Sequence, residues 1–338
     1  MSAALIGVSA AALALALLYA RRRRAPDGRP TILVTGTTGW IGRHLAERLA
    51  KAGDVRVLGL ARRASGLKGV IDIRADLSTG KGLEALAAYG RIDACVHLGG
   101  VAGWCSLEQG LSVNVQGTLR LIEALKGTCS KFVVASSIAA VGTGLPKCPP
   151  LMMPMPDEHP YAGFPWAYAL SKIQVEELCQ MLVAQDAREP DPTLDVMLVR
   201  IGCCVTDPPE PPKHLETAIG ESIPMSRATL DGPPANACFP EGPIALIAVS
   251  DMARCLELAA RAPPKLGVRT ITATAKHAYL APGVTVPQLF RHWYGSRVEG
   301  LDWSHYERPG HEQDSIYDCS AARRELGFEP QIDLRSYV

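Results

Sequence analysis

The most constraining feature of the chain is a glycine-punctuated turn set between two opposite periodicities. Thr31–Thr35 (TILVT) is a short, apolar, β-branched run and reads as a buried strand. Thr35-Gly-Thr-Thr-Gly-Trp-Ile-Gly42 follows, and then a helical pattern through Ile41, Leu45 and Leu49 that stops at Gly53. Strand, G-x-x-G-x-x-G and helix in that order form a turn that cradles phosphate. Gly36 permits the tight bend, Gly39 lets backbone N–H groups approach a pyrophosphate, and Gly42 lets helix and strand pack closely. The amides of Thr38, Trp40 and Ile41 belong to the same cradle, at a helix N-terminus whose free N–H groups and dipole favour an anion.

The rest of the chain repeats the alternation. Strands are expected at 55–60, 70–74, 92–97, 132–135, 194–200 and 268–273, with helices at 83–89, 107–125 and 166–182 and a strand-helix pattern over 244–260. This predicts an α/β fold, a Rossmann doubly wound parallel sheet. Residues 207–243 are rich in Pro and Gly and read as a smaller, looped substrate region. The expected organisation is a dinucleotide-binding domain over 31–206 and a mainly substrate-binding region over 207–338, with 244–274 returning to the Rossmann sheet.

The first thirty residues stand apart. Residues 3–20 carry no charge, and as a helix they would span roughly 27 Å, close to a bilayer's hydrocarbon thickness. Arg21 to Arg24 follow the apolar stretch, where a cleavable signal peptide would place its positive charge first. Residues 1–24 are therefore expected to be a single-pass membrane anchor with a basic flank, 25–30 a linker, and the catalytic part cytosolic by the positive-inside rule. An organelle transit peptide is the alternative, since the segment is rich in Ala and Arg and has no acid before Asp27.

Composition excludes some classes. A net charge of +1 gives no footprint for nucleic acid. The ten cysteines include no CxxC pair, so no zinc or disulfide framework is expected, no metal site is assigned, and a reducing compartment is implied.

Chemistry is suggested by Tyr168-Ala-Leu-Ser-Lys172, which places a phenol and an ammonium on one helix face. A phenol titrates near 10, and a neighbouring cation is expected to lower that value so the tyrosine exchanges a proton near neutrality. Ser136-Ser137 is expected just past the fifth strand, where a hydroxyl can hold the same substrate oxygen. Cofactor choice is read at the end of the second strand. Arg62 and Arg63 stand there where an acid would select NAD, so NADP is expected, with NAD the other option. Asp76 and Leu77, after the third strand, are placed to reach adenine.

Taken together, TGTTGWIG (35–42), ADL (75–77), HLGG (97–100), NVQGT (114–118), ASSIAAVG (135–142), YALSK (168–172) and SAARRELGFEP (320–330) resemble the extended short-chain dehydrogenase/reductases, the NAD-dependent epimerase/dehydratase family. The resemblance implies Ser137, Tyr168 and Lys172 as catalytic residues, with Tyr168 and Lys172 also meeting the nicotinamide ribose. It implies Asn114 as an organiser of the long helix and Leu98 and Gly99 as cofactor contacts. It also implies a substrate-side motif at Val249-Ser-Asp251 and a homodimer through the two helices near 107–125 and 166–182.

Within the family, HLGG, ASS and LVRIGCC look like uronate dehydrogenases. That group has Asn-His after the catalytic Ser where this chain has Ile138-Ala139, a Ser at the position of Cys203, and an acid at that of Arg62. The substituted residues are apolar. Trp104, Ile138, Met152, Met153, Phe164 and Trp166 are expected near the pocket, which points towards the 3β-hydroxysteroid dehydrogenase branch and a lipophilic, sterol-like secondary alcohol or ketone. Packing residues are the plainer reading of the same positions. A nucleotide-sugar epimerase/dehydratase and a non-catalytic NADPH-binding subunit of a membrane complex are the alternative functions.

Overall fold

The computed structural model describes residues 27–144, 147–209, 212–216, 221–231 and 244–336. The expected anchor at 1–24 and the first two residues of the linker therefore lie outside the described residues, and among the described residues no helix is long and apolar enough to cross a membrane.

Seven strands form one parallel sheet: β1 (Thr31–Thr35), β2 (Arg56–Ala61), β3 (Val70–Arg74), β4 (Ala94–His97), β5 (Lys131–Ser137), β6 (Asp195–Ile201) and, after four short strands described below, β11 (Gly267–Ala273). Their order is β11-β6-β5-β4-β1-β2-β3. The reversal of direction lies between β1 and β4, and such a switch point opens a crevice at the strands' carboxyl ends. Thr35 and His97 are register partners there.

Helices cover both faces, so every residue of β1 is buried. Its side chains alternate between two cores. Ile32 and Val34 pack with Leu45 and Leu49 of α1 (Trp40–Ala52) and with Met252 and Leu256 of a later helix, Val249–Arg261. Leu33 packs on the other face with Leu121 and Leu125, and with Val175 and Cys179 of the Tyr168–Lys172 helix.

Several elements differ from expectation. The helix expected at 107–125 is composite: α2 runs Leu107–Gln109, becomes π-helical over Gly110–Val115, and resumes as Gln116–Ala124. Residues Leu83–Tyr89 form a 3₁₀ helix. The helix α3 spans Ala167–Asp186. Strand β5 extends through Ser137, so the two serines end the strand rather than follow it, because their backbones pair with Arg200 and Ile201 of β6.

After β6 the chain leaves the sheet. The strands β7 (Cys203–Val205) and β10 (Leu246–Ala248) pair with each other, and β8 (Lys213–Glu216) pairs with β9 (Glu221–Pro224). Of the segment 244–274, α4 (Val249–Arg261) packs on the large sheet and β11 joins it, whereas β10 does not. A separate core gathers Ile138, Met155, Phe290, Trp303, Tyr306 and Tyr317. It carries α5 (Val286–Tyr294), and α6 (Ser320–Leu326) then closes on the first core through Ala321 and Ala322.

Candidate active site

The glycine turn has the geometry its spacing implies. Gly36 sits at φ +75°, and a side chain there would meet the backbone of Leu98 and Gly99 at 3.0 Å. A Cβ on Gly42 would stand 2.3 Å from the Gly36 carbonyl oxygen, so only glycine lets α1 close onto the turn. Gly39 caps α1 with no side-chain hydrogen bond, which leaves its amino end available to an anion. Thr38 is exposed, while Trp40 and Ile41 lean on the core, so these two offer backbone rather than side chain. A cradle that any Cβ would fill suits a pyrophosphate.

Beneath the crevice runs a buried polar chain. Thr35 Oγ1 accepts from the amides of Leu98 (3.1 Å) and Gly99 (2.8 Å) and lies 2.8 Å from His97 Nδ1. On the far side, His97 Nε2 is 3.0 Å from Thr118 Oγ1, which donates to the Asn114 carbonyl. Donor counting assigns the tautomer: with both lone pairs used, Thr35 donates to Nδ1, and Nε2–H donates to Thr118. His97 is neutral. Burial, helped by the Lys172 charge, pushes it down to about 3.

The Asn114 side chain is fully committed. It holds both backbone groups of Val101 and donates to Ser171 Oγ, on the turn of α3 that carries Tyr168 and Lys172. Asn114 therefore ties the loop after β4 to α3.

Ser137, Tyr168 and Lys172 come together. Ser137 Oγ accepts from Ala139 N at 3.1 Å. Its hydroxyl also bonds the phenol of Tyr168 and pulls that pKa down, but burial outweighs it and carries the phenol up to about 12. The expected lowering by Lys172 is absent. The ammonium lies 5.6 Å from the ring centroid and donates to the Ala135 carbonyl at 2.7 Å, so it faces the ring and a backbone oxygen. Burial brings Lys172 itself down to about 8, against the pull of Glu176. At neutral pH Tyr168 is thus protonated.

Sequence reading missed the layer behind this group. Glu176, one turn beyond Lys172, forms a buried ion pair with Arg200 at 2.8 Å and accepts from Ser136. The i, i+4 spacing of Lys172 and Glu176 was the available signal. Trp166 packs at a tilt against Tyr168, with ring centroids 5.1 Å apart and planes at 59°. Of the other apolar candidates, Ile138, Met153 and Phe164 are core residues, while Trp104 and Met152 are exposed.

Arg62 stands exposed, one residue past β2. Asp76 accepts from both the amide (2.9 Å) and hydroxyl (2.7 Å) of Ser78, and these bonds, with the charges of Arg62 and Arg120, hold its pKa low. Leu77 is buried and fills the space above Gly99 and Gly117, so its side chain packs in the core. Asp251 is not placed for substrate. Buried, it accepts from the amides of Gln331 and Ile332 at 2.9 Å each and so anchors the carboxyl-terminal segment.

Comparison with known proteins gives the crevice its context. The profile of the NAD dependent epimerase/dehydratase family matches residues 32–201, half of the chain. The chain belongs to this family. UDP-glucose 4-epimerase 2 of Oryza sativa subsp. japonica is 31% identical over 199 residues, covering 53% of this chain and 45% of that protein. Ceramide reductase of Caulobacter vibrioides (strain NA1000 / CB15N) is 32% identical over 120 residues, 34% of this chain and 37% of the relative. The matches thus span less than half the length of these two relatives. UDP-glucose 4-epimerase from Bifidobacterium longum, solved with NAD+ and UDP, has the same fold, with a TM-score of 0.61 at 21% identity over 90% of this chain and 95% of that one. The family's cofactor is a nicotinamide dinucleotide, and the glycine cradle of this chain fits one.

Proposed function

We propose that this family member reduces a ketone on a lipophilic, sterol-like molecule to the secondary alcohol at the expense of NADPH. The observation that carries the reading is a concentration of exposed apolar side chains beside the crevice. Trp104 (66% exposed) lies on the loop after β4 and Leu107 (50%) where that loop enters α2, and Leu151 (54%), Met152 and Tyr161 lie on the loop after β5. Both loops leave the carboxyl edge of neighbouring strands, where Tyr168 and Ser137 sit. Exposed apolar groups gathered at one edge favour an apolar ligand.

In this scheme Gly36, Gly39 and Gly42 hold the pyrophosphate, and Arg62 meets the 2′-phosphate of the adenosine ribose. The nicotinamide, when bound, supplies the hydride. Ser137 positions the carbonyl oxygen, and Tyr168, protonated across the neutral range, donates its proton to that oxygen. Lys172, whose ammonium donates to the Ala135 carbonyl and feels the Glu176 charge, meets the nicotinamide ribose. Residues 1–24, as a membrane anchor with the catalytic part on the cytosolic side, would hold the site against the phase where such a substrate dissolves. A homodimer through α2 and α3 is part of the same proposal.

The similarity to UDP-glucose 4-epimerases favours a second reading, epimerisation of a nucleotide sugar with no net use of cofactor. One experiment separates the two: incubate the protein with NADPH and steroid or long-chain ketones, and in parallel with NAD+ and UDP-glucose. Stoichiometric NADPH oxidation with a ketone, lost in Tyr168→Phe while NADPH still binds, is the expected result. Interconversion of the UDP-sugar without net oxidation would overturn the proposal in favour of the second reading.

A further inference from the structure

We infer that the carboxyl-terminal lobe contains a binding site for a divalent transition metal, of the zinc or cobalt type, with His305, His311 and Asp314 as its ligands. His305 Nε2 and His311 Nδ1 lie 3.0 and 2.7 Å from the same carboxylate oxygen, Asp314 Oδ2, and the three ligand atoms all fall within 4.8 Å of one another. Two imidazoles and a carboxylate are a ligand set that zinc accepts, with solvent completing a four-coordinate shell. With bonds of about 2.0–2.1 Å, tetrahedral ligand atoms sit roughly 3.3 Å apart, so the two histidine–carboxylate edges lengthen by roughly 0.3 and 0.6 Å to admit the ion. The sequence assigned no metal on the cysteine spacing alone, and the His-x5-His-x2-Asp spacing here matches no zinc motif.

A second observation points to the same place. The other carboxylate oxygen, Asp314 Oδ1, and the facing His277 Nδ1 are buried atoms 3.2 Å apart with no aligned hydrogen bond. Buried polar atoms left in this way cost free energy. With the carboxylate turned onto a metal, His277 is placed to donate to Oδ1, the outer partner that metal-bound carboxylates usually have.

The surrounding charges set the terms of binding. Arg335, near His277, is neutralised by Asp333 through bonds of 2.9 and 3.0 Å. Arg308 Nη2 donates to His305 Nδ1 at 2.7 Å, which places the imidazole proton on Nε2. A metal at Nε2 takes the place of that proton, moves it to Nδ1 and releases the exposed Arg308 side chain. Metal binding to the neutral imidazole therefore keeps the proton on the ring and competes with Arg308. The ion would clip the turns at 304–314 to the backbone bridge between His277 and Asp314, beside the core that contains Trp303 and Tyr306.

The test is titration of the full-length protein with Co2+ at neutral pH, read by visible absorption, with Zn2+ as competitor. One Co2+ per chain is expected, with the bands of nitrogen and oxygen ligands and no thiolate charge-transfer band. His311→Ala, a half-exposed position, and Asp314→Asn should each weaken binding by about tenfold or more, at least the loss that an outer-shell partner brings. Arg308→Ala should tighten it. NADPH binding by the same variants reports folding and keeps this result separate from the functional proposal. Absence of saturable binding, a thiolate band, or unchanged affinity in His311→Ala and Asp314→Asn would overturn the assignment.

Discussion

Asn114 and Ser171 join the two helices of the site: Asn114 Nδ2 donates to Ser171 Oγ at 2.9 Å, and Ser171 Oγ donates in turn to the Tyr168 carbonyl at 2.8 Å. The same amide holds both backbone groups of Val101, at 2.8 and 3.0 Å. The π-helical turn of α2 is what aims Asn114 inward, a distortion often found at functional sites. Asn114→Ala removes three hydrogen bonds from a buried position and leaves Val101 and Ser171 short of partners. A loss of about 1–3 kcal/mol of stability is expected, with kcat reduced more than NADPH affinity. Denaturant unfolding and steady-state kinetics on the same variant check both parts.

Gly42→Ala tests the cradle. The new Cβ would lie 2.3 Å from the Gly36 carbonyl oxygen, so α1 and the turn must separate. Affinity for NADPH and NADH should fall together by about tenfold or more, equivalent to at least about 1.4 kcal/mol. Calorimetry with circular dichroism as a folding control measures this, and unchanged affinity would mean the cofactor lies elsewhere.

Two buried groups oppose each other in acid. Burial raises Asp157 from 3.8 to about 6, against the pull of the Thr272 hydroxyl and the Arg200 charge. Between those values the folded state keeps a proton that the unfolded chain has released, so this group makes stability fall as pH rises. His97, lowered from 6.5 to about 3, does the reverse: the unfolded chain binds the proton and the folded state does not. Their contributions cancel over the shared window. In Asp157→Asn, stability should therefore climb from pH 4 to 6 more steeply than in the wild type, by up to about 1.4 kcal/mol per pH unit. Parallel curves from denaturant titrations across that range would contradict the Asp157 assignment.

Trp104 probes the substrate edge without touching the core. At 66% exposure its replacement by Ser should change stability by no more than about 0.5 kcal/mol. The expected effect is a several-fold rise in KM for a lipophilic ketone with NADPH affinity unchanged. An unaltered KM across a ketone series would remove this loop from substrate binding.

The sheet was legible because strands covered on both faces read as apolar runs, and TILVT is buried throughout. The glycine turn and the Tyr168–Lys172 pair were legible because their chemistry needs fixed local spacing. What escaped depends on contacts between distant segments. Thr35 and His97 are 62 residues apart yet share a hydrogen bond, and Arg200 reaches Glu176 only because β6 lies beside β5. The expected fall in the Tyr168 pKa failed for the same reason. Helical spacing places Lys172 one turn away, but the Ala135 carbonyl across the β5–α3 interface decides where its ammonium points. Ile138, Met153 and Phe164 read as pocket residues because a loop gives no periodicity to tell inside from outside.

The most direct measurement is the affinity of the purified protein for NADPH and for NADH by calorimetry, alongside Arg62→Ala. The account predicts tight NADPH binding, NADH weaker by about tenfold or more, and a preference that collapses in the variant because the cation facing the 2′-phosphate is gone. Equal or tighter binding of NADH by the wild type would contradict an NADPH-dependent reductase, and binding of neither would contradict the assignment of the cradle itself.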